Sequence, residues 1–149
     1  MAVQSRSDNT TVPLILSENS LVKNVTIAQD AQRATPILYG TVMAEIAATG
    51  LWTPFIAVNG VDGSAIPRGI YLGDDILAAD LVAGDIADVP MLVGNATVNE
   101  TLVVFDDDTL NRDSVIGAAT IHAMTAEAAL RMTANIYLEE TIDISEFEN

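Results

Sequence analysis

Apolar positions along this chain come in short runs broken by Gly, Pro, Asn and Asp, a pattern of strands and tight turns rather than of long helices. Val12-Pro13-Leu14-Ile15-Leu16 is an extended apolar stretch whose proline suits an edge position. After the polar break Ser17 to Ser20, Leu21, Lys23, Val25 and Ile27 alternate with Val22, Asn24 and Thr26, which predicts a strand over 21–27. From Val42 to Ile46 two readings compete. Met43 to Ala48 are good helix formers, but Gly40 precedes the run and Ala-Thr-Gly closes it, so strand is favoured.

Phe55 to Val58 and Ile66 to Leu72 read as short strands, separated by the turn pairs Asn59-Gly60 and Asp62-Gly63. Residues 76–88 mix apolar, small and acidic side chains around a Gly84-Asp85 turn. A stronger strand begins at Val89, with Met91, Val93 and Asn95 on one face, and Leu102 to Phe105 suggests another. The best helix follows Thr125, a capping residue, with Glu127 in its first turn and Arg131 near its end. A weaker helical pattern lies around Asn111 to Ile116. Asn135 to Leu138 reads as a final strand. The expected fold is mainly β with one or two short helices: a small, barrel-like α+β domain over 24–140, preceded by an N-terminal arm over 1–23, partly disordered, and followed by an acidic tail over 141–149.

Length and charge sharpen this picture. The 149 residues suffice for one ordinary domain, and with 50% hydrophobic but only 5% aromatic residues its core must be largely aliphatic. The absence of cysteine excludes disulfides, thiolate metal sites and cysteine nucleophiles. Against 21 Asp and Glu stand 6 Lys and Arg, a net charge of −15 that repels phosphate backbones and anionic lipid. Nucleic acid and membranes are therefore not expected partners, whereas a basic protein is compatible; a halophilic origin would give the same excess. The opening residues lack the basic and apolar regions of a signal peptide, so no secretion leader is expected. The Asn-x-Thr triplets at Asn9, Asn24, Asn95 and Asn99 are read as chance on that account.

Candidate chemistry is sparse. His122, the only histidine, lies in an apolar string with no metal-ligand spacing around it, which favours a structural role. Asp106-Asp107-Asp108 with Asn111 and Asp113 clusters oxygens as a calcium site would, yet lacks the central glycine and closing glutamate of the calcium loop; a solvated turn is the plainer reading, and Asp74-Asp75 is weaker still. Gly60, Gly63, Gly69 and Gly73 do not follow nucleotide-binding spacing, and Ser64 has no nucleophile elbow. No enzyme activity, catalytic residue, cofactor or metal is expected. Trp52 and Phe55, beside Pro54, are the densest aromatic spot and suit either core packing or an anchor at a subunit contact. The segment 12–27, with Val12, Leu14, Ile15, Leu16, Leu21, Val25 and Ile27, can either add a strand to a partner's sheet or form the first hairpin of its own domain.

The order of several short pieces resembles a known family. Val25-Thr26-Ile27-Ala28, Tyr39-Gly40-Thr41-Val42, Thr49-Gly50, Val61-Asp62-Gly63-Ser64, Pro67-Arg68-Gly69-Ile70, Met91-Leu92-Val93-Gly94 to Asn99, and Ala134-Asn135-Ile136-Tyr137-Leu138 together resemble the bacteriophage head decoration proteins related to the lambda head decoration protein, over roughly residues 24–138. Asn135 stands where that family often has glycine, and an extra residue separates Gly94 from Val98.

The resemblance implies a homotrimer on the outer surface of an expanded icosahedral capsid, at its three-fold and quasi-three-fold sites. It also implies an arm, here about Thr10 to Ile27, that orders by pairing with the major capsid protein. The expected location is the virion exterior, reached from the host cytoplasm during assembly. Other readings are an acidic module for another virion component or a basic protein, and, least favoured, a carboxylate- or calcium-dependent enzyme.

Overall fold

A computed structural model describes residues 13–56, 62–116 and 124–140. The fold is mainly β, with a closed five-stranded barrel and, among the described residues, two α-helices. The strands are β1 (Leu21–Ile27), β2 (Val42–Glu45), β3 (Trp52–Pro54), β4 (Pro67–Tyr71), β5 (Ile86–Gly94), β6 (Ala96–Asn99) and β7 (Ile136–Glu139). The helices are α1 (Ala78–Ala83) and α2 (Ala126–Ala134), and a single 3₁₀ turn covers Glu100–Leu102.

The barrel runs in the order β1-β3-β2-β4-β5 and closes through antiparallel pairing of β5 with β1, from Leu21 opposite Gly94 to Ile27 opposite Ile86. One pair is parallel: β1 meets β3 where Ile27 faces Trp52. Closure removes the open edges that would otherwise invite aggregation. β2, β4 and β5 carry neighbouring buried residues because both of their faces are covered there. Ile27, Met43, Trp52, Tyr71 and Met91, one from each barrel strand, share a single cluster and so fill the interior. Their neighbours Val42, Ile70 and Leu92 point outward into a second cluster, beneath Leu130 of α2 and Ile136 and Leu138 of β7. The side-chain period of two thus sorts one apolar run into two cores.

Gly69 makes this packing possible. A Cβ there would sit 2.7 Å from the Leu92 carbonyl oxygen and 2.9 Å from the Trp52 ring, too close for either. Outside the barrel, β6 and β7 form a parallel pair joined through α2. As expected, the Thr125 hydroxyl accepts a hydrogen bond from the Ala128 amide and caps α2. Asn135 ends the helix in the left-handed region, at φ 53°, a conformation asparagine tolerates better than most residues.

Several expectations are corrected. The proposed arm is part of the domain from residue 14 onward, so the boundary at residue 23 does not hold. The Leu16 amide donates to the Thr97 carbonyl, the Asn99 amide to the Leu14 carbonyl, and Ile15 bridges Val98, which lays this segment along the edge of β6. The following residues are β1 itself. Leu14 is only 2% exposed and Ile27 0%, so apolar burial explains why both stay home. The strand expected at 55–58 lies earlier, as β3, and residues 57–58 fall outside the described residues.

The expected strand over 102–105 is a 3₁₀ turn followed by an isolated bridge from Val104 to Thr41. Residues 111–116 are not helical. The Asn111 side-chain oxygen accepts the Asp113 amide and the Ser114 hydroxyl accepts the Asn111 amide, local bonds that compete with a helix. The short helix α1 was not expected; six residues with Leu81 as their one buried anchor carry too little periodicity to be read.

The Asp62-Gly63-Ser64 turn leads into β4. The Asp62 carboxylate accepts hydrogen bonds from the Ser64 hydroxyl (2.7 Å) and the Ser64 amide (3.0 Å), and these hold its pKa below the ordinary aspartate value. Such a group stabilises the fold above the unfolded-state pKa of about 3.9. That contribution disappears as pH drops through the lower, folded-state pKa. Asp62→Asn keeps an acceptor in the turn but removes the titration. Urea denaturation at stepped pH is expected to show a shallower acid loss of stability in D62N than in the parent; parallel curves would show that the turn does not contribute.

Candidate functional site

The residues singled out from the sequence separate into three groups. Val12 and His122 lie outside the described residues. Leu14, Val25 and Ile27 are buried in the chain's own cores and present no surface to a partner. Trp52 and Phe55 share that fate at 3% and 1% exposure, Trp52 inside the barrel and Phe55 under its outer face. They are core residues, and the reading as subunit anchors does not survive.

Leu16 and Leu21 remain available, and Ile15 beside Leu16 is half-buried. Both exposed leucines border the corner where β5 passes into β6. Leu21 pairs with Gly94, and Leu16 bonds Thr97. A shallow pocket of about 210 Å³ opens at this corner between Ser17, Thr97, Asn135 and Tyr137. Its wall is fixed by two left-handed asparagines, the Asn135 side-chain amide donating to the Asn95 side-chain oxygen at 3.0 Å. The Arg131 guanidinium stacks 5.5 Å from the centre of the Tyr137 ring.

The acidic clusters are already engaged by the protein. Asp106 forms a bidentate ion pair with Arg33, at 2.6 and 2.5 Å, while Arg33 also donates to the carbonyls of Thr35 and Pro36. Asp107 accepts from the Thr109 hydroxyl and amide, which lower its pKa. The Asp75 carboxylate accepts the Tyr39 amide, and the Tyr71 hydroxyl donates to the Asp74 carbonyl. Burial, then the charges of Asp74 and Asp75, raises the pKa of Tyr71. Among the described residues no group of three His, Cys, Asp or Glu side chains converges as metal ligands would.

A second ionic cluster is structural. Arg112 bridges Glu127 and Glu100, tying the loop before α2 to that helix and to the 3₁₀ turn; Glu127, chiefly, raises its pKa. No helix among the described residues is long and apolar enough to cross a membrane.

The sequence reading missed one feature. An open groove of about 410 Å³ lies between the loop around Pro36 and the segment Val104–Asp108. Its two walls are far apart in the chain, and the Arg33–Asp106 clamp that joins them spans 73 positions. The one available hint was that Arg33 is among very few cations. The chain matches no family model and no curated protein.

Proposed function

We propose that this chain is a structural subunit of the phage head decoration type, binding the outer surface of an expanded icosahedral capsid as a trimer and stabilising the shell. The observation that carries this reading is the position of the family-like pieces within a single domain. Thr41-Val42 opens β2, Thr49-Gly50 turns toward β3, Asp62-Gly63-Ser64 precedes β4, and Asn135 leads into β7. The pieces are the turns and starts of several elements along the domain, where backbone geometry narrows the choice of residue.

The physical basis of such a function is cooperative attachment. A trimer that touches several shell subunits raises the effective concentration of each later contact. Binding the expanded shell in preference to other states stabilises it by mass action, without chemistry. A net charge of −15 suits the outside of a DNA container better than its inside. Since Leu14 to Ile27 are committed to the domain, an arm that pairs with the capsid must come from residues 1–12.

The test is cosedimentation with expanded and unexpanded capsids. The full chain is expected to pellet with the expanded form and to have a trimer's mass, either free or once bound. A variant lacking residues 2–12 is expected to melt within a few degrees of the parent yet to lose at least tenfold in capsid affinity, as removal of one of several linked contacts would cause. A stable dimer, or no pelleting with either form, overturns the proposal; unchanged affinity in the truncated chain removes the arm from it.

A further inference from the structure

We infer that the groove between Pro36 and Asp108 is a docking site for an extended basic segment of another protein, one that places an apolar side chain beside an arginine or lysine. The floor is apolar: Pro36 and Leu38 from one wall, Val104 and Phe105 from the other. Leu38 is 39% exposed, although the backbone around it is firmly held. Its carbonyl accepts both the amide and the hydroxyl of Thr41. Phe105 is braced from below by an edge-on contact with Phe55, the ring centres 6.3 Å apart.

The clamp of Arg33 on Asp106 pins the two walls together, so the groove exists before any partner arrives. A preformed, rigid cleft loses less conformational freedom on binding than one that must assemble.

Charge selects the occupant. Asp106 is neutralised by Arg33, but Asp107 and Asp108 at the mouth are not paired with any cation among the described residues. One Asp107 oxygen accepts the amide and the hydroxyl of Thr109, which fixes the direction of this exposed carboxylate and leaves its second oxygen to a partner. A second copy of this chain, itself strongly acidic, does not suit this acidic groove, whichever other face joins the copies of a trimer. Nor does this chain have many cations to offer, since Arg33, Arg112 and Arg131 are already in ion pairs. A basic partner is attracted both by the mouth and by the field of the whole surface.

The inference does not depend on capsid binding, and its test uses no capsid. The probe is a short fluorescent peptide alternating arginine and leucine, titrated by anisotropy into the full chain. The comparison peptide alternates arginine and serine at equal charge.

The arginine–leucine peptide is expected to bind more tightly than its serine counterpart. Asp107→Asn with Asp108→Asn is expected to weaken it by about fivefold or more, consistent with two partly exposed ion pairs. Leu38→Asp, which spoils the floor, should do the same by removing the preference for leucine. Glu139→Gln with Glu140→Gln, of equal charge change but outside the groove, is expected to alter affinity less than twofold. Equal losses in both double variants would reduce the effect to bulk charge and overturn the proposal, as would equal affinity for the two peptides or no binding. Circular dichroism melts establish that each variant is folded, and a change of mass in the groove variants would instead identify a contact between copies of this chain.

Discussion

Trp52→Ala is expected to destabilise the domain by about 3–5 kcal/mol, the usual cost of emptying a buried large aromatic site. The indole fills the barrel where Ile27, Met43, Tyr71 and Met91 converge, and Gly69 has no side chain precisely where the ring lies. The surrounding strands are locked in a closed ladder and cannot collapse onto the void, which places the cost at the upper part of that range. For a domain of this length the melting temperature should fall by about 10 °C. Trp52→Phe should cost far less. Urea denaturation measures both. Because Trp52 is the sole tryptophan, its fluorescence in the parent should be blue-shifted and resistant to acrylamide. A loss below about 1 kcal/mol, or a readily quenched indole, would remove Trp52 from the interior.

Asp106→Ala carries the second large effect, about 3 kcal/mol. The Arg33 side chain is 7% exposed, and removing its carboxylate leaves a charge that water barely reaches. The carbonyls of Thr35 and Pro36 still accept from it, which holds the loss near the lower end for a broken buried pair. Replacing both partners, as in Arg33→Met with Asp106→Leu, should recover much of the stability, since two apolar groups leave no charge unsatisfied. A double-mutant cycle in urea tests this. Additive losses would mean that the two side chains do not interact.

How far the sequence could be read depended on whether its signals were local. The bounds of β1 follow from the alternation between Leu21 and Ile27. The capped start of α2 at Thr125 and the strand after Asn135 were equally legible, because the side chains that specify them lie within a turn. Favouring strand over helix at Val42 also held, since Gly40 ruled out a comfortable helix start there.

The misreadings share one cause. Leu14 reads equally as part of an arm or of a first hairpin, because the strand that receives it, β6, lies more than eighty positions away. For Trp52 and Phe55 the choice between core packing and a subunit anchor stays open in the sequence, because nothing local says that each faces a different core. The groove was illegible for the same reason: its walls meet only through Arg33 and Asp106. Pattern reading finds elements, and long-range pairs decide what those elements touch.

The order in which the strands close has a bearing on synthesis. β1 leaves the ribosome early, yet its long antiparallel partner is β5, so the first strand must wait for most of the polypeptide to follow. Leu14 to Ser17 wait longer still for β6, and β6 itself for β7. Topologies dominated by such distant pairings fold slowly and expose sticky intermediates meanwhile. The barrel strands are all synthesised once Gly94 has emerged, but the apolar outer face of Val42, Ile70 and Leu92 stays uncovered until β7 follows, and the acidic excess disfavours association between such half-finished chains.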